Sequence, residues 1–285
     1  MRVNSLKRDS PDYPPLLARL HTPPGQLFWL GTHPNELTWK PRVAIVGSRK
    51  VTGYGRQVTQ QLAGELAKEG VVIISGLALG VDSIAHQAAL DAGGLTIAVL
   101  PTGLDQIYPP SHLNLARQIV ETGGCLISEY PANTEAYPAN FIARNRIVSG
   151  LADALLITEA ARNSGTMHTA GFALEQGKTV MAVPGNINNP MSEGCNNLIK
   201  NGATPVTSVE DVLQALNIKP VAKTDRVFRG SADEQLLFDL IKHGLCSQDE
   251  LAEASKLDGP SLSSTLTMLE INGYIRADAG NWTLT

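Results

Sequence analysis

Val43-Ala-Ile-Val-Gly-Ser-Arg49 is an unbroken apolar run that ends in a small, polar and then cationic turn. Apolar runs without alternation mark strands covered on both faces, as in parallel sheets. The chain then reads as a repeat of that theme. Gly55–Glu69 carries Val58, Leu62, Leu66 and Ala67 at helical spacing, and Val71–Ser75 is a second apolar run. A helix is expected over Ala85–Ala92, a third strand over Thr96–Leu100 and a helix over Ser111–Thr122. Leu126–Ser128, Ala154–Thr158 and Thr179–Val183 supply three more strands. Strand–helix alternation of this kind predicts an α/β domain over residues 41–216, with a doubly wound, mostly parallel sheet.

The flanks differ in texture. Residues 1–40 are rich in proline, with turns at Asp12-Tyr-Pro-Pro and Thr22-Pro-Pro-Gly and one short strand at Leu27–Leu30, and read as an arm or accessory segment. Residues 217–231 are polar and aperiodic and read as a linker. Residues 232–285 hold three short amphipathic helices, Glu234–Lys242, Gln248–Ala254 and Ser261–Ile271, followed by two strand-like runs near Gly273 and Trp282. That order fits a winged-helix domain, or a small helical cap.

Composition narrows the function. The 285 residues are 43% apolar and 18% charged, enough for a core and too apolar for a disordered chain. No apolar run reaches the ~20 residues of a membrane span. The N-terminus lacks the apolar stretch of a secretory signal, so a cytoplasmic location is expected. Cys125, Cys195 and Cys246 are odd in number and far apart, which argues against a disulfide framework or a cysteine-built zinc site. Net charge is −4, unevenly spread. Residues 231–285 hold three cations against nine acids, so any polyanion site must be a local patch in the first 230 residues.

In an open parallel sheet, ligands bind beyond the carboxyl ends of the strands. Here those ends read Gly47-Ser-Arg-Lys, Ser75-Gly-Leu-Ala-Leu-Gly-Val-Asp, Pro101-Thr-Gly, Glu159-Ala-Ala-Arg-Asn-Ser-Gly-Thr and Pro184-Gly-Asn. Several lead into helix N-termini, whose free N–H groups favour anions. Neither G-x-G-x-x-G nor the P-loop pattern is present, which disfavours a dinucleotide cofactor and a P-loop NTPase. A second cationic element, Phe141-Ile-Ala-Arg-Asn-Arg-Ile-Val-Ser-Gly, puts Phe141, Arg144 and Asn145 on one helical face. An aromatic beside arginines suits a stacked base with a neutralised backbone. The same helix also reads as one whose Phe141, Ile142 and Ile147 pack in the core. Asp82, His86, Glu129, Glu159 and His168 are the available acids and bases, with no nucleophile–base pairing among them. No catalytic residue, metal site or cofactor is expected.

Taken together, Gly47-Ser-Arg, Ser75–Asp82 with Ala85-His, Gly103-Leu-Asp with Tyr108-Pro, Glu129-Tyr-Pro, Phe141–Leu151, Ser164-Gly-Thr with Thr169-Ala, Ala182-Val-Pro-Gly and Gly194-Cys-Asn-Asn-Leu-Ile with Gly202-Ala closely resemble the bacterial DNA-processing protein A (DprA/Smf) family. The resemblance covers roughly residues 40–216, and the tail resembles the winged-helix module of many members. It implies an extended Rossmann domain that binds single-stranded DNA without sequence preference and without catalysis, dimerises, and recruits and loads the RecA recombinase on DNA taken up in natural transformation. By motif, Gly47, Ser48 and Arg49 would form a phosphate pocket with the turn from Ser75 and Gly76 to Gly80. Phe141, Arg144, Asn145 and Arg146 would line the strand's path, and Ser164, Gly165 and Thr166 would add donors. Two features depart from the family. Asn133 replaces a glycine in a longer Glu129–Pro138 loop, and a sterile-alpha-motif-like N-terminal domain is absent or reduced. The alternative is an enzyme of the nucleotide phosphoribohydrolase (lysine decarboxylase-like) type, but Thr169 stands where its catalytic glutamate would be.

Overall fold

A computed structural model describes residues 3–218, 230–278 and 281–284. The described residues up to 218 form one compact unit and those from 230 onward a second. Of the expected linker, residues 219–229 lie outside the described set.

The first unit is built on one sheet whose strands are β1 (Asn4–Lys7), β2 (Gln26–Gly31), β3 (Arg42–Val46), β4 (Val72–Ser75), β5 (Thr96–Val99), β6 (Cys125–Ser128), β7 (Ala154–Ile157), β8 (Thr179–Ala182) and β9 (Thr204–Pro205). Their spatial order is β1-β2-β6-β5-β4-β3-β7-β8-β9. Strands β3 to β9 run parallel, while β2 pairs antiparallel with β6 and β1 antiparallel with β2. The apolar runs are buried along their length, as expected. Val43 and Ile45 of β3 face one side and Ala44 and Val46 the other. On the first side lie α3 (Gly53–Lys68), α4 (Val81–Asp91) and α9 (Val209–Ala215), with α5 (Leu113–Glu121) over β5 and β6. On the other side lie α6 (Pro138–Leu151) and α7 (Thr166–Glu175).

The first forty residues do more than precede this sheet. Leu27 of β2 and Leu17 of α1 (Pro15–Ala18) are fully buried in the α6/α7-side core. Two antiparallel strands thus extend the edge beyond β6, and only the second was visible as an apolar run. Asn4-Ser-Leu-Lys has one apolar residue and is mostly exposed, so it carries almost no strand signal.

The second unit has its own core of Leu237, Ile241, Leu251, Leu262, Leu266, Leu269 and Ile275. These come from α10 (Ala232–Lys242), α11 (Gln248–Ser255) and α12 (Gly259–Ile271), with β10 (Ile275–Asp278) paired to β11 (Asn281–Leu284). Ser247 bridges Asn281 beside that hairpin. Three helices and a wing match the winged-helix expectation. Ser231 and Ser247 each close a capping box with Glu234 and Glu250, which fixes where α10 and α11 begin.

Candidate nucleic-acid interface

The chain leaves β3 toward β4, β5 and β6, then returns to place β7 on the other flank of β3. Adjacent strands here feed connections that diverge, and the crevice between them is where doubly wound sheets bind ligands. A cleft of about 730 Å³ opens at that point. Its walls include Gly47, Ser48, Arg49 and Lys50 after β3, Ser164, Gly165 and Thr166 at the start of α7, and Phe141, Arg144 and Asn145 of α6.

The turn after β3 is fixed from beneath. The Ser48 amide donates to the Glu159 carbonyl at 2.8 Å, and the Ser48 Oγ accepts from the Lys50 amide at 3.0 Å. The Thr52 amide donates to Glu159 Oε2 at 2.8 Å, and the Thr52 Oγ1 accepts from the Gly55 amide at 3.1 Å, capping α3. Glu159, 2% exposed, is therefore an anchor for the turn. Arg49 and Lys50 are left on the outside.

The glycine-rich turn after β4 is held as firmly. Asp82 accepts from the Gly76 amide at 3.0 Å and the Ala78 amide at 3.4 Å. Between them Leu77, fully buried, sits at φ +57°, a conformation costly for a leucine. Gly80 has φ +80°, and a Cβ there would meet the Ser48 carbonyl at 2.2 Å, so the two turns interlock only with glycine. Arg144, 3% exposed, donates to the carbonyls of Gly76 and Val99. Burial pushes its pKa down to about 10, offset by the Asp82 charge, while burial raises that of Asp82 against the pull of Arg144.

Arg49 stands over the Phe141 ring at 5.0 Å from guanidinium carbon to centroid, a cation–π approach. Tyr108 meets the same ring edge-on at 5.4 Å between centroids. Phe141 is half-buried at the mouth of the cleft, whereas Ile147, three residues past Arg144, is fully buried. The helix is thus divided, with its first turns facing the cleft and its later ones the core. Across the cleft, Ser164 Oγ contacts Thr166 Oγ1 at 2.9 Å and accepts from the Thr166 amide at 3.2 Å at the start of α7.

Most residues expected from sequence come together here. Gly47, Ser48, Arg49, Phe141, Arg144, Asn145, Ser164, Gly165 and Thr166 all line the cleft. Ser75 lies behind it, its Oγ donating to the Ile45 carbonyl at 2.6 Å, and Gly76 and Gly80 shape its floor. Arg146 is placed elsewhere. It forms a two-pronged ion pair with Glu129 at 2.7 and 2.8 Å, donates to Thr22, and is not among the residues that line the cleft. Arg144 is within the cleft wall but directed at backbone. Lys50 and Tyr108 line the cleft as well; both stand in motifs noted in the sequence, but neither was expected to belong to the site. In the departing loop, Asn133 has φ +64° and its amide donates to Asp105, so asparagine takes up the left-handed geometry that a glycine would.

The candidate acids and bases do not assemble into a catalytic group. His86 is buried with Nδ1 against Thr96 Oγ1 at 2.6 Å, and burial drives its pKa down to about 3. Glu129 pairs with Arg146, Glu159 anchors the β3 turn, and His168 is exposed on α7. Thr169, in the position of the rival enzymes' glutamate, is 2% exposed in the cleft wall. Among the described residues, no three His, Cys, Asp or Glu side chains gather to hold a metal ion, and no helix is long and apolar enough to cross a membrane.

The family model for DNA recombination-mediator protein A matches residues 4–217, and that for the DprA winged helix domain matches residues 219–281. Protein Smf of Escherichia coli is 39% identical over 285 aligned residues, covering 96% of this chain and 75% of the relative. The solved structure of DNA processing protein A from Streptococcus pneumoniae matches with a TM-score of 0.69 and 38% identity, over 75% of this chain and 74% of that one. A structure of DNA processing protein A from Helicobacter pylori, described in terms of its single-stranded DNA binding mode, matches with a TM-score of 0.68 and 35% identity, over 76% and 96%.

Proposed function

The chain belongs to the DNA recombination-mediator protein A family, and from that premise we propose that it binds single-stranded DNA in the switch-point cleft, without reading sequence and without catalysis. The observation that carries this reading is the pairing of exposed Arg49 with the half-buried Phe141 ring at the cleft mouth. A guanidinium neutralises a phosphate while a ring offers a base a face to stack on, and every base has such a face. The anchored turns beneath supply backbone rigidity and N–H groups rather than base-edge donors. The single-stranded DNA binding attributed to the Helicobacter pylori relative supports the same choice of ligand. In this reading Gly47, Ser48, Arg49 and Lys50 grip the backbone, Phe141 and Tyr108 stack, and Ser164, Gly165 and Thr166 donate from the far wall. Arg144 acts by holding the Gly76 turn in place.

We further propose, as the family resemblance implies, that the chain works in the cytoplasm as a homodimer and delivers strands to the RecA recombinase in natural transformation. The winged helix is assigned a role with protein partners. Its α12 presents Ser263, Ser264, Thr267, Met268 and Glu270 outward, with no lysine or arginine for phosphates.

A competition assay tests the site. Unlabelled single strands should displace a labelled oligonucleotide, and a mononucleotide at the same nucleotide concentration should not. Displacement by the mononucleotide alone, with base release, would return the cleft to the phosphoribohydrolase class.

A further inference from the structure

A second cavity, of about 440 Å³, lies on the same side of the sheet as α6 and α7. Leu16, Leu20 and Phe172 give it an apolar wall, and Arg19, Arg146 and Lys178 give it cations, against Glu175 as the acid of the lining. Arg146 is already paired with Glu129. Arg19 and Lys178 are not, since the ion pairs among the described residues are Arg42–Asp153 and Arg146–Glu129. Lys178 is half-buried, and burial lowers its pKa against the pull of Asp153, a carboxylate already paired with Arg42. Gln176 donates from Nε2 to the Arg146 carbonyl at 3.0 Å, and its enclosed Oε1 has no hydrogen-bond partner.

Both cavities are lined by α6 and α7, at different residues of each helix. On α7, Thr166 and Thr169 line the switch-point cleft, and Phe172 and Gln176 line the second cavity. Their spacing of three, three and four residues makes one continuous stripe of the helix. On α6, Ile142 lines the first cavity and Arg146 and Gly150 the second, again at four-residue intervals. From Thr169 to Gln176 the rise is about 10 Å at ~1.5 Å per residue. That is the span of about three nucleotides at the ~3.4 Å rise of a stacked strand.

We propose that this second cavity is a distal subsite for the same single strand, reached along the α6/α7 stripe from the switch-point cleft. Arg19 and Lys178 take a backbone phosphate, Phe172 and the leucines take a base, and Gln176 Oε1 accepts from that base's N–H groups. This rests on single-strand binding in the first cleft. The two cations, the apolar wall and the unsatisfied acceptor match a nucleotide, and the placement of both cavities on the same two helices favours a strand over a separate ligand.

The test compares the whole protein with Arg19→Ala/Lys178→Ala on single strands of about three and about sixteen nucleotides, the shorter unable to occupy the first cleft and reach the second cavity together. The double variant should bind the short strand as the wild type does. On the long strand its log–log salt slope should fall by about 0.7, the one phosphate that the two cations hold together. Arg19→Glu, at an exposed position, repeats the test without touching half-buried Lys178 and should weaken long-strand binding alone. Wild-type slopes at both lengths would overturn the subsite, as would an equal loss at both. So would unchanged strand binding joined to Lys178-dependent capture of an acidic, aromatic peptide, which would give the cavity to a protein. A wild type that binds neither strand would instead overturn the first cleft's assignment, so the two failures are distinguishable.

Discussion

Replacing Arg49 by alanine is the sharpest perturbation of the proposed site. The side chain is exposed, its backbone is fixed by the Ser48–Glu159 hydrogen bond, and it rests on Phe141 without supporting any core residue. Its loss should therefore leave folding intact, with a stability change within about 0.5 kcal/mol as at other surface positions. What it removes is one phosphate contact. For single strands each such contact contributes about 0.7 to the slope of log K against log salt. Across a fourfold rise in salt, the wild type's advantage over Arg49→Ala should then shrink by about 2.6-fold. Arg49→Lys should restore most of the slope but not the full affinity, because an ammonium lacks the planar stacking of guanidinium on Phe141. Fluorescence anisotropy at several salt concentrations, on strands of differing base composition, reads both quantities. An unchanged slope, or a loss confined to one base composition, would refute the reasoning, since the first removes the phosphate contact and the second introduces base readout.

Further outcomes follow from the same geometry. Phe141→Ala should weaken single-strand binding by about 1–3 kcal/mol with little change in salt slope, seen in the same titrations. Arg144→Ala should act on folding: it strands the Gly76 and Val99 carbonyls and leaves buried Asp82 without its nearby cation, costing about 1–3 kcal/mol per orphaned group in denaturant unfolding. His86 has a folded-state pKa of about 3 against 6.5 when exposed, so the unfolded chain binds the extra proton. Its contribution to stability is present above pH 6.5 and is lost as pH falls toward 3, at up to about 1.4 kcal/mol per pH unit. His86→Leu should flatten unfolding free energy against pH over that window. A fragment covering residues 230–285 should show no salt-resistant affinity for duplex DNA by gel shift, because its outward α12 face offers no cation.

The parallel part of the sheet was legible because its strands are apolar at every position, which only burial on both faces explains. The edge was less so. Strand β1 has a single apolar residue among four, and β9 is two residues long, Thr204–Pro205, too short for any periodicity. The β3 turn could be placed at the switch point from topology, whereas the Phe141 helix follows β6, three strands from β3 in the sheet, and only the family resemblance tied it to the same site. The roles of the two α6 arginines could not be read from the sequence. Arg144 and Arg146 lie two residues apart, about 200° around the helix, and which cation faces solvent depends on what packs there. Arg144 meets the turns after β4 and β5, and Arg146 meets Glu129 and Thr22, contacts across distant sequence that spacing does not encode. Glu159 read as a possible base for the same reason: its partners Thr52 and Ser48 lie more than a hundred residues earlier in the chain.

A cleft that grips single strands by backbone and stacking can be checked in one titration series. The intact protein is titrated against labelled single-stranded and duplex oligonucleotides of increasing length across a range of salt. Affinity should rise with single-strand length, fall steeply with salt, exceed that for duplex and be indifferent to sequence. Tight, salt-resistant binding of a mononucleotide with no gain from added length would contradict that mode of binding.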